Sequence, residues 1–69
     1  MLDNRGLPPP QPLLRTLDIL DQWDETPHQL VMVVDREPYL LYPELDLRGF
    51  AYQVDRRADG IYVTIRNRV

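Results

Sequence analysis

All eight basic residues of this 69-residue chain are arginine, and the sequence holds a single histidine, His28, with no lysine, cysteine or serine. These counts exclude several chemistries. Without a thiol there is no sulfur nucleophile, disulfide or thiolate–histidine zinc site, and without lysine there is no Schiff base. A Ser-His-Asp arrangement lacks its serine, and Thr16, Thr26 and Thr64 fall in different elements from His28. His28 is a poor metal ligand alone, because carboxylates without a second imidazole or a thiolate suit harder ions. The expectation is therefore no catalytic residue, no metal and no cofactor.

The remaining chemistry is recognition. Arg5 and Arg36 each stand shortly before a proline-marked helix start, where free N–H groups and the positive end of a helix dipole favour an anion. Arg56 and Arg57 precede a turn expected to return to the same end of the sheet. Against an anion site, Pro9, Pro10 and Pro12 have no N–H to offer, and Asp35, Glu37 and Asp59 are placed to neutralise the arginines. The candidate ligand or partner surface is Arg5, Gly6, Pro9, Arg36, Glu37, Tyr39 and Tyr42. Trp23, Tyr39 and Tyr42 read either as an aromatic recognition patch or as the rim of a small core. Asp18, Asp21, Asp24 and Glu25 gather near the end of the first helix, as a solvated face or a dock for a basic partner.

Positioning these residues takes six elements. Met1–Asp3 forms a short first strand, and Asn4-Arg5-Gly6 supplies turn chemistry ahead of Leu7 and the run Pro8-Pro9-Pro10-Gln11-Pro12. Beside a helix start, that run reads as structural rather than as a polyproline ligand. Leu13, Leu17 and Leu20 follow helical spacing from Pro12 to Trp23, with Arg15, Asp18 and Gln22 on the wet side. His28–Asp35 contains Leu30-Val31-Met32-Val33-Val34, the composition of an interior, parallel strand. A second helix is expected from about Tyr39 to Arg48, closed by Gly49, with Pro43 forcing either a kink or a loose first turn. Phe50, Tyr52 and Val54 share one strand face, and Ile61, Val63 and Ile65 another, joined in a hairpin by Arg57-Ala58-Asp59-Gly60. The result is an α/β two-layer sandwich, order βαβαββ, with a four-stranded mixed sheet, both helices on one face and the other face open.

At this length one core rarely supplies more than about 3–5 kcal/mol, so a single domain spans residues 1–69 with little spare stability. A hydrophobic fraction of 43% argues for a folded globule. The aliphatic run Leu30–Val34 falls far short of the roughly 20 residues that cross a bilayer, and no signal segment opens the chain, so no membrane and a cytoplasmic location are expected. A net charge of −3 argues against nucleic acid. The exclusive use of arginine reads as the compositional bias of a GC-rich bacterial genome.

The opening Leu2-Asp3-x-Arg5-Gly6-Leu7, the Pro-Pro-x-Pro stretch leading into an amphipathic helix and the βαβαββ order resemble the TusA/SirA-like domains. In the sulfur-relay members of that superfamily the helix begins at Cys-Pro-x-Pro, whose cysteine carries a persulfide. Here Pro9-Pro10-Gln11-Pro12 matches except at Pro9, which stands in the cysteine position, so the resemblance implies the scaffold without the persulfide chemistry. The chain is more similar still to the TusA-like branch termed domain of unknown function twenty-two forty-nine. That likeness rests on Arg5-Gly6 with Pro9-Pro10-x-Pro12, Asp35-Arg36-Glu37-Pro38 followed by Leu41-Tyr42-Pro43, and Arg48-Gly49-Phe50. Domains of that branch occur alone or fused to hemerythrin-like modules, which implies redox or metalloprotein partners. The expectation is a non-enzymatic accessory domain contacting an unknown protein, as a monomer or a weak homodimer through the open sheet face. The alternative is a small anion- or metabolite-binding module using Arg5, Arg36 and the first helix N-terminus.

Overall fold

The computed structural model describes residues 1–68, in the order β1 (Leu2–Asp3), α1 (Gln11–Leu20), β2 (Gln29–Val34), α2 (Leu41–Leu47), β3 (Ala51–Arg57) and β4 (Gly60–Arg66). The expected βαβαββ order holds, with changes at the helix ends. Pro12 lies in the first turn of α1, where its missing N–H costs nothing. The helix stops at Leu20 rather than reaching Trp23. There the N–H groups of Gln22 and Trp23 each bond three residues back, to Ile19 and Leu20, in turns too tight for an α-helix. Asp21 and Asp24 also oppose the dipole at this end.

Pro43 resolves in favour of a helix start. It is the third residue of α2, inside the first turn, so no hydrogen bond is lost and no kink is needed. Tyr39 therefore lies before the helix. At the other end Gly49 takes φ 73°. Its N–H bonds Asp46 at 3.1 Å and that of Phe50 bonds Leu45 at 3.0 Å, the paired bonds of a Schellman cap. Phe50 thus serves the cap, and β3 begins one residue later than its alternation implied.

The sheet order is β1-β2-β4-β3. β2 is interior and parallel to β1 but antiparallel to β4, so the sheet is mixed. Because β4 is antiparallel to both neighbours, β3 runs parallel to β2, and α2 crosses over β4 to connect them. The carboxyl ends of β1, β2 and β3 consequently meet at one end, with the hairpin turn.

Register decides which residues reach the helices. Leu2, Met32, Val63 and Val54 lie side by side across the four strands, and Leu30, Ile65 and Tyr52 across three. This face closes against Leu20 of α1 and Leu41 and Leu45 of α2, so both helices cover one face. The opposite face carries Asp3, Val31, Val33, Tyr62, Thr64, Gln53 and Asp55. Val33 is nonetheless fully buried there. Gly60, at φ 152°, shows why: a Cβ would stand 2.9 Å from Val33 Cγ2, so the hairpin turn lies against that side chain, with Arg5 Cδ 3.4 Å from the same point.

Candidate functional site

The loop after β1 spends its donors on the chain's own carboxylates. The Arg5 guanidinium meets Asp3 through Nε and Nη2, both at 3.0 Å, and donates through Nη1 to the Asp59 carbonyl at 3.3 Å. Its hydrogen bonds hold the Asp3 carboxyl at about 2, and Asp3 in turn raises Arg5. The Gly6 N–H donates to the Asp35 carboxylate, so that donor is not free for an external anion. In the first turn of α1, Pro12 has no N–H, and Gln11 and Leu14 donate to the Pro8 and Pro10 carbonyls. That leaves Leu13 as the remaining donor.

On the other side of the same end, Glu37 is largely covered, with its side chain 12% exposed. It accepts from Arg56 Nε at 2.7 Å and Nη2 at 2.8 Å, and from the Tyr42 hydroxyl. Arg56 first and Tyr42 second lower the Glu37 pKa. Burial, then the bond to Glu37, pushes the Tyr42 hydroxyl well above the ordinary phenol range. Tyr42 stacks flat on Tyr52 at 5.3 Å. Arg36 differs from its neighbours: it is exposed and makes no ion pair or side-chain hydrogen bond with any described residue.

Between these two loops lies an apolar groove of about 280 Å³. Pro9, Pro10, Pro12 and Leu13 form one wall, Pro38 to Leu41 the other, and Met32 and Val34 are among its lining. Arg36 and Glu37 are its charged lining residues. Tyr39 and Leu40 stand 73% and 72% exposed beside it. Of the seven candidate residues, Pro9, Arg36, Glu37 and Tyr39 border the groove. Tyr42 braces Glu37 from outside it, and Arg5 and Gly6 belong to the adjoining Asp3–Asp35–Asp59 network.

The three aromatics considered together are apart. Trp23 stacks on His28 at 5.2 Å and tilts against Phe50, away from Tyr39 and Tyr42. His28 Nε2 lies 2.8 Å from Asp24 and 3.1 Å from Thr26, so both partners share one ring nitrogen. A proton relay needs them on opposite nitrogens. With Asn67 accepting the His28 N–H and donating to the Thr26 carbonyl, the cluster closes the entry to β2.

Sequence reasoning missed Asn4, fully buried, whose amide donates to Thr16 Oγ1 at 3.1 Å and to the Pro12 carbonyl at 3.3 Å. It ties the first loop to α1. The signal available was Thr16, a polar residue at helical spacing from Leu13 and Leu20 on the inward stripe. The two apolar groove walls gave no local signal, since they come from segments joined only by the fold.

This geometry belongs to a recognised class of fold. A crystal structure of a SirA-like protein from Desulfitobacterium hafniense superposes with a TM-score of 0.84, covering 94% of this chain and 92% of that one at 22% identity. At that identity the likeness is one of fold. The chain belongs to the family described as uncharacterized conserved protein (DUF2249), whose pattern spans residues 1–67. No curated protein matches it. No helix among the described residues is long and apolar enough to cross a membrane.

Proposed function

We propose that this chain is a non-enzymatic accessory domain that has lost sulfur transfer and acts by holding a protein partner in the groove between its two helix starts. The observation that carries this reading is the groove itself. At the position where sulfur-relay relatives present a cysteine, Pro9 instead forms part of an apolar wall beside exposed Tyr39 and Leu40. Apolar side chains left in water beside a cleft gain by transfer into a partner, at roughly 25 cal/mol per Å² covered.

Metabolite binding ranks lower on two grounds. Pockets for small ligands run to about 300–1,000 Å³ and place several convergent polar groups around the ligand. Of the groups expected to hold an anion, Arg5 and the Gly6 N–H are already committed to Asp3, Asp35 and Asp59, which leaves Arg36 and the Leu13 N–H. The test is a photo-crosslinking amino acid placed at Leu40 in living cells, with Gln53 on the opposite sheet face as control. A discrete adduct from Leu40 and none from Gln53 is expected. Equal adducts from both positions, or none from Leu40, would overturn the reading.

A further inference from the structure

Resting on that reading, we propose that the groove's partner is an acidic apolar segment: an aliphatic side chain seated between the proline wall and Leu40–Leu41, followed by carboxylates that meet Arg36. The space, about 280 Å³, suits one or two side chains rather than a folded surface. The charge on its border is then decided by which groups are already paired. Glu37 is paired with Arg56 and bound by Tyr42, and Asp35, which accepts from the Gly6 N–H, is not among the lining residues. Arg36 is exposed and pairs with no acid among the described residues. An incoming carboxylate therefore gains a contact without breaking one, whereas an incoming cation meets Arg36 as a like charge. The net charge of −3 opposes an acidic partner at long range. Physiological salt screens that repulsion beyond about 8 Å, so the contact at Arg36 decides.

The experiment titrates the labelled full chain with two blocked synthetic peptides, one Gly-Ser-Leu-Leu-Glu-Glu-Gly-Ser and the other with both glutamates replaced by lysine, following amide shifts by NMR. Saturable shifts at Leu13, Val34, Arg36, Leu40 and Leu41 are expected, with the glutamate peptide binding about fivefold tighter, in keeping with exposed ion pairs. Arg36→Gln, an exposed change that leaves the spectrum dispersed, is expected to erase the difference between the peptides. Equal binding of the two peptides, shifts elsewhere, or no saturable shift would overturn the inference. So would self-association of the chain lost in Arg36→Gln, which would assign the groove to a second copy. If the Leu40 crosslink persists while charge preference is absent, the inference alone fails; without the crosslink, the reading beneath it fails too.

Discussion

Glu37 accepts hydrogen bonds from Arg56 and from Tyr42, and each favours the carboxylate over the acid. The same bond holds the proton on Tyr42. Because the folded Tyr42 pKa lies above the ordinary phenol value near 10, its contribution to stability is complete below that pH and is lost as pH rises further. For Glu37 and Asp3 the folded values are depressed, so their contribution is present above the ordinary carboxylate range and is lost as pH falls, for Asp3 toward about 2. Ultraviolet titration of tyrosinate is expected to show late ionisation from both Tyr42 and Tyr62, of which Tyr42→Phe removes one tyrosine's share. An unchanged late step in that variant would contradict the assignment. At this scale the sequence was informative about charge and less so about pairing. That Asp35 and Glu37 sit near arginines was legible, but Glu37 pairs with Arg56 and Asp35 with a backbone N–H, choices made by tertiary distance. Asn4 and Thr16 were illegible as a pair because neither is apolar, and the loop and helix that carry them meet only in the fold.

The elements show where local rules win and where they yield. Leu13, Leu17 and Leu20 announced α1 by spacing, and Gly49 announced the end of α2 by its need for positive φ. Trp23 continued the apolar spacing but was claimed by His28 and Phe50, so periodicity overran the helix end. The early placement of Pro43 makes a sharp prediction. An interior proline costs a helix about 3 kcal/mol, whereas one in the first turn costs little. Pro43→Ala is therefore expected to change stability by less than about 1 kcal/mol in urea unfolding. A gain near 3 kcal/mol would mean that α2 strains around it.

For the whole molecule, the alternating strands and the two crossover helices were enough to define a mixed four-stranded sheet with one covered face. The strand order was not, since nothing local tells β3 to take the far edge and leave β4 between it and β2. The groove was hidden for the same reason: its walls are the two proline-rich helix entries, brought together only when both crossovers land on one face. The covering of that face should dominate stability. Leu45 is fully buried, and Leu45→Ala is expected to cost about 2–5 kcal/mol, comparable to all that a core of this size supplies. Thermal unfolding followed by circular dichroism checks this, and a variant that melts with the parent would contradict the packing described. Leu40 is exposed, so Leu40→Asp should leave the fold intact while placing a charge at the mouth of an apolar groove. The most direct measurement is the affinity of that variant, against the parent chain, for the protein crosslinked from position 40. Binding at least about tenfold weaker is expected, the loss that follows when an apolar anchor contact is replaced by a buried charge. Equal affinity in a variant with an unchanged spectrum would contradict it.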